Sequence, residues 1–181
     1  MQYSKDIAKI LITKEQLQKR VEELGKQISE DYNGEKLTLI CILRGASVFF
    51  ADLLRQITIP CEIDFIAVSS YGAGTTSSGE VKLVKDLSST IAGENVIIVE
   101  DIMDTGVTLS YLKKMLQARN PKSIKICACI DKPERRTADI KSDYIGFQVP
   151  NEFIVGYGLD YNERYRNLPD ICVLAPEVYE K

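Results

Sequence analysis

The chain has 181 residues, 45% hydrophobic and 27% charged, with a net charge of −3, the profile of one globular domain large enough to bury a substantial core. That balance excludes disordered and fibrous classes and provides no basic surface for nucleic acid or an anionic membrane. No apolar run approaches the roughly 20 residues that span a bilayer, and the opening MQYSKDIAKI lacks a signal peptide's apolar core, so a cytoplasmic location is expected.

In chain order, residues 12–29 open the helical reading, with Leu17, Val21, Leu24 and Ile28 at helical spacing and Thr13 and Gln16 in a capping-box pattern. Residues 37–43 form a continuous apolar run suited to a buried strand, followed by Arg44-Gly45 and a helix over about 47–55. Pro60 precedes a strand to about 68, which leads into the small, polar, glycine-rich segment 69–79. A short strand is expected near 81–84, then a strand over 96–101, a helix from about 108, and a strand over 123–130. Two further short strands fall near 144–149 and 171–174. Strands alternating with helices indicate an α/β domain with a mainly parallel sheet wound right-handedly. No internal repeat or low-complexity tract interrupts it.

The 96–101 segment concentrates the chemistry. Val96-Ile97-Ile98-Val99 suits a strand buried on both faces, and Glu100-Asp101 then emerges at the carboxyl end, the rim where open α/β sheets bind ligands. Asp104-Thr105-Gly106-Val107-Thr108 follows, supplying hydroxyls and a flexible backbone where a helix begins, which is a phosphate cradle. Carboxylates suited to sugar hydroxyls or a hydrated Mg²⁺ thus stand beside an anion pocket, and a phosphorylated sugar satisfies both. Each piece alone also has a plain reading, as a soluble strand end or an ordinary helix cap.

The chain contains no histidine. Ser/His/Asp and Cys/His catalysis are thereby excluded, and a general base must be Asp, Glu, Lys or Tyr. Cys41, Cys61, Cys127, Cys129 and Cys172 lie mostly in apolar strand-like runs and read as reduced, packed thiols, since no CxxC or nearby histidine completes a metal site.

Residues 96–108, VIIVEDIMDTGVT, resemble the phosphoribosyl-pyrophosphate signature of the type I phosphoribosyltransferases. The segment 156–166, GYGLDYNERYR, is close to the pattern of the hypoxanthine-guanine members, and the order of the other loops agrees. The resemblance covers roughly residues 10 to 175. It implies a Rossmann-like type I phosphoribosyltransferase fold as a single domain over 1–181, with a small hood lobe from the N-terminal segment and about 150–181. It also implies transfer of the 5-phosphoribosyl group from phosphoribosyl pyrophosphate to hypoxanthine or guanine, with Mg²⁺ as cofactor and a dimer or tetramer as the assembly.

By the same resemblance, Glu100 and Asp101 face the ribose hydroxyls and belong with Asp160 to the metal set, while Asp104, Thr105, Gly106 and Thr108 hold the 5′-phosphate. Asp104 is also the candidate base at purine N7; alternatively it only holds the loop's N–H groups. Arg44 and Gly45 would meet pyrophosphate, with a cis peptide at Leu43–Arg44, although Arg44 alone reads as a solvated strand-end cation. Ser70 and Tyr71, with Gly72, would form a lid that excludes water, although such loops are commonly plain surface excursions. Arg166 would clamp pyrophosphate. Lys132 would donate to the purine O6, which disfavours adenine because its 6-amino group is itself a donor. Phe153 would stack on the purine, the Ile154 backbone would meet its edge, and Asp160 would lie at the same end of the site. Arg135 and Arg136 support either the lysine loop or a subunit contact.

Competing readings are a xanthine-preferring enzyme, which the retained 6-oxo group permits, and a non-catalytic sensor of phosphoribosyl pyrophosphate. Lys132, Phe153 and Asp160 argue against the sensor, and with the 153–160 segment they argue against adenine and orotate enzymes. A generic dinucleotide-binding domain lacks its G-x-G-x-x-G turn here.

Overall fold

The computed structural model describes residues 5–70 and 81–180. Its centre is a six-stranded sheet in the order β4-β3-β2-β5-β6-β7, built from β2 (Leu37–Leu43), β3 (Cys61–Ser70), β4 (Val81–Lys85), β5 (Asn95–Met103), β6 (Ser123–Asp131) and β7 (Tyr144–Gln148). All neighbours are parallel except β3 and β4. The expected α/β architecture is therefore present, with an antiparallel edge strand that alternation of strands and helices did not foretell.

Hydrophobic patterning explains how the layers assemble. In β5, Val96, Ile97, Ile98 and Val99 are all fully buried, and alternation sends them to two different cores. Ile97 and Val99 join Leu39 and Cys41 of β2 under helices α1 (Lys14–Asp31) and α2 (Ser47–Gln56), packing with Leu24, Ile28, Phe49 and Leu53. Val96 and Ile98 join Ile40 and Ile126 under α3 (Val107–Gln117), with Leu109, Leu112 and Leu116. Each such side chain contributes about 1.5–3 kcal/mol of burial.

The start of α1 is set by chemistry visible in the sequence. Thr13 accepts from the N–H of Gln16, and the Gln16 side chain accepts from the N–H of Thr13 at 2.8 Å, closing the capping box. The helix begins at Lys14, directly after the Thr13 cap that the sequence pattern marks. The residues before it form a strand, β1 (Ile7–Ile12), which the sequence reading left out.

β1 pairs antiparallel with β9 (Ile171–Leu174), and β9 with the two-residue β8 (Ile154–Val155), giving a separate three-stranded sheet in the order β1-β9-β8. The strand near 171–174 thus belongs to this second sheet rather than the main one. A one-turn helix, α4 (Pro176–Tyr179), follows it. The five cysteines are unpaired, and burial pushes the Cys41 and Cys127 thiols up to about 12, which leaves them inert packing groups. Among the described residues no helix is long and apolar enough to cross a membrane.

The strand order creates the site. From β2 the chain moves to β3 on one side, then returns to place β5 on the other. The crevice between the carboxyl ends of β2 and β5 is therefore the topological switch point, where such sheets bind ligands.

Candidate active site

Two cavities open along this rim. The smaller, about 100 Å³, is lined by Glu100, Asp104, Thr105, Gly106 and Thr108 together with apolar neighbours. The larger, about 470 Å³, is lined by Asp101, Asp104, Lys132, Phe153, Ile154 and Asp160 among others. Asp104 lines both.

The small cavity is a helix N-terminus. Gly106 is the residue before α3, at φ 80° and without a side-chain cap; the Val107 N–H donates to Thr105 Oγ1 at 3.4 Å, and the next N–H groups, of Thr108 and Leu109, point the helix N-terminus at a ligand. A Cβ at this position would lie 2.6 Å from Ile140 and 3.1 Å from Arg136, so the turn also requires glycine on steric grounds. Arg136 is a brace beneath it, donating to the Asp104 carbonyl at 2.8 Å and pairing with the buried Asp131 carboxylate.

Glu100 and Asp101 are still inside β5, which runs to Met103, two residues past its expected end. Strand alternation sends them to different cavities, Glu100 to the small one and Asp101 to the large. Burial together with the neighbouring Asp101 charge holds Glu100 well above the ordinary carboxylate range, and burial raises Asp101 as well. Of the expected metal set, Asp101 and Asp160 line the larger cavity and Glu100 the smaller. Among the described residues no three such groups gather, and only Asp101 and Asp160 line a common cavity.

The loop after β2 reaches this centre through Gly45. A Cβ there would lie 1.6 Å from Asp101 Oδ2, and a Cβ at Gly158 would lie 2.1 Å from the Gly45 carbonyl. Three distant segments therefore meet, Gly45 against the Asp101 side chain and Gly158 against the Gly45 backbone. The Leu43–Arg44 bond is cis, as the resemblance implied. The Arg44 side chain, however, is largely exposed and paired with Glu163 rather than directed into either cavity.

Lys132 is 6% exposed at the end of β6, its N–H bound to the Met103 carbonyl and its ammonium donating to the Glu152 carbonyl. Burial lowers its pKa, partly offset by the nearby Asp104 charge. Arg135, left open by the sequence, pairs with the Asp104 carboxylate across the floor of the larger cavity. Asp160 is held by Arg166 at 2.7 Å and accepts the Glu163 N–H at 3.0 Å. Arg166 also donates to the Gly158 carbonyl at 2.8 Å, so it sits behind Asp160 and bonds the loop itself. Ile154 is buried in β8, and Phe153 is 39% exposed at the cavity. Ser70 ends β3, whereas Tyr71 and Gly72 lie outside the described residues.

Sequence reasoning missed Asn151, Glu152 and Tyr179 as cavity-lining residues and left the role of Arg135 open. Only Arg135 carried a signal, the basic pair in DKPERR beside Lys132.

The phosphoribosyl transferase domain family matches residues 9–162. The hypoxanthine-guanine phosphoribosyltransferase of Bacillus subtilis is 53% identical over 175 residues, covering 97% of this chain and 97% of that protein. That of Streptococcus thermophilus is 52% identical over 177 residues, covering 98% of each. A bifunctional TilS/HprT protein of Listeria monocytogenes is 49% identical over 176 residues, and there the chain spans only 27% of its relative's length. In three dimensions, a hypoxanthine phosphoribosyltransferase from Staphylococcus aureus superposes with a TM-score of 0.97 at 46% identity, over 100% of this chain and 98% of that one.

Proposed function

This chain belongs to the phosphoribosyl transferase domain family, and from that premise we propose that it transfers the 5-phosphoribosyl group of phosphoribosyl pyrophosphate to hypoxanthine or guanine, yielding IMP or GMP and pyrophosphate in purine salvage. The observation that carries this reading is Asp104 standing between a phosphate-sized helix N-terminus and a larger cavity floored by a buried lysine. Full-length relatives of about 50% identity carry that activity in their names.

In this reading Asp104, Thr105, Gly106 and Thr108 hold the 5′-phosphate, and Glu100 and Asp101 orient the ribose. The purine enters the 470 Å³ cavity, with Lys132 donating to O6, Phe153 against its face and the Ile154 backbone at its edge. Asp104 takes the N7 proton as the base attacks C1′. Arg44, Gly45, Ser70, Tyr71 and Arg166 receive pyrophosphate, which requires Arg44 and Arg166 to exchange their carboxylate partners for phosphate oxygens. The carboxylates near the sugar stabilise positive charge that develops there.

Mg²⁺ fits the donors present. Asp101 and Asp160 supply oxygen ligands to one cavity, with no histidine in the chain, and a small hard cation needs few carboxylates because it retains water and substrate oxygens. When bound, it neutralises the leaving pyrophosphate. The second sheet and the 150–181 segment serve as the hood over the base, and the enzyme works in the cytoplasm as a homodimer or homotetramer.

The test supplies the protein with Mg²⁺ and phosphoribosyl pyrophosphate and offers hypoxanthine, guanine, xanthine and adenine separately. Pyrophosphate release is expected with the first two and not with adenine. Release with none of the four overturns the activity, and equal use of adenine removes the role of Lys132. Asp104→Asn is expected to retain substrate binding while losing turnover by about 100-fold or more, the scale of general-base catalysis. Undiminished turnover would eliminate the base role.

A further inference from the structure

We propose that Tyr179 is a base-competing residue: its ring occupies the face of Phe153 that the purine uses, and the purine must displace it. The inference rests on the reading of Phe153 as the base platform and adds to it a residue that no sequence pattern marks. The two rings are stacked, with centroids 4.7 Å apart and planes inclined by 19°. That is the offset arrangement a purine would adopt on the same ring. Tyr161 stands perpendicular to Phe153 at 5.5 Å, so the platform is flanked by two tyrosines rather than open.

Tyr179 is also a wall of the base cavity itself, together with Asp101, Lys132 and Asp160. It also lines a second cavity of about 670 Å³, together with Lys5, Asp6, Tyr161, Arg164 and Glu177 among others. A displaced phenol ring therefore has a destination lined largely by polar and charged groups, with Tyr161 and Tyr165 beside them. The backbone beneath it permits the movement. α4 has four residues, anchored at its start by the Ala175 N–H to the Asp6 carbonyl at 2.8 Å. A single turn of helix has little stability of its own. The position of its last side chain is set by packing, against Phe153 on one side and the cluster of Val155, Tyr165, Leu168, Cys172 and Leu174 on the other, rather than by the helix.

Occupancy of the platform by Tyr179 lowers apparent base affinity by the fraction of molecules in which the face is free. The experiment is calorimetric titration of GMP into wild type, Y179A, Y179F and F153A, with amide exchange followed over residues 177–180 in the presence and absence of GMP. Y179A is expected to bind GMP about two- to tenfold more tightly, the equivalent of one aromatic pair. Y179F, which keeps the ring, is expected to match wild type, and amides 177–180 are expected to exchange faster in the complex. Weaker or unchanged binding by Y179A, or slower exchange at 177–180 on binding GMP, would make Tyr179 a fixed wall and overturn the proposal while leaving the activity intact. Unchanged binding by F153A would overturn the platform reading and this inference together. A wild type that does not bind GMP overturns the proposed function and the competition with it.

Discussion

Lys132 shows how much one residue depends on its surroundings. Its ammonium is buried and donates to the Glu152 carbonyl, and desolvation moves its pKa below that of an ordinary lysine. The protonated form donates a charge-assisted bond to a 6-oxo group, and the neutral amine only a weaker one. Hypoxanthine binding is therefore expected to fall away, as pH rises, earlier than a solvated lysine would dictate. Lys132→Arg, which stays charged, should move that alkaline limb upward in a plot of kcat/KM against pH; an unmoved limb would assign it to another group. Gly45 is a steric counterpart. With its Cβ position 1.6 Å from Asp101 Oδ2, Gly45→Ala must displace that carboxylate, and a misplacement of about 1 Å costs on the order of 100-fold in rate. The expectation is a folded variant whose kcat/KM for phosphoribosyl pyrophosphate drops by that order; a near-normal value would show that Asp101 does not position the substrate. The sequence revealed a permissive glycine after a strand. It could not reveal that the glycine's neighbour is a carboxylate more than fifty positions away. Asp104 and Arg135 are likewise 31 positions apart, and their pairing follows from β5 and β6 ending side by side.

At the scale of elements, legibility followed local chemistry. The main strands and α1 were visible because burial on both faces demands continuous apolar runs and because Thr13 and Gln16 cap each other within one turn. Thr13→Ala is expected to cost about 1 kcal/mol, lowering the thermal midpoint by a few degrees while kcat stays unchanged. Thermal unfolding monitored by circular dichroism checks the first half and steady-state assay the second. β1 and β8 were not visible. Most of β1 is exposed or only partly buried, and two residues are too few for β8 to show any period. Both are strands because β9 supplies their hydrogen-bond partners. The antiparallel setting of β4 on β3 is likewise a matter of pairing, since a short apolar strand reads the same in either direction.

The whole molecule is two sheets with unequal support. β5 lies between β2 and β6, with Val96–Val99 fully buried, whereas β1-β9-β8 is a small sheet containing a two-residue strand. Native-state amide exchange is expected to be slower in β5 than in β8 and β1 by on the order of 100-fold or more; equal protection would mean that both sheets open as one unit. The order of the main sheet brings the loops after β2, β5 and β6 to one rim, and the 150–181 segment carries Phe153 and Asp160 to the same place. By itself the sequence determined the α/β class, the strand that bears the acids, the glycine turn before α3 and the family, because burial, capping and close-range motifs are encoded within a few residues. Only the tertiary structure decided that Glu100 and Asp101 face different cavities, that Arg135 holds Asp104, and that Tyr179 lies on Phe153. Those contacts depend on where each strand ends, how far its side chains have alternated and which strands are neighbours, and no local pattern fixes all three.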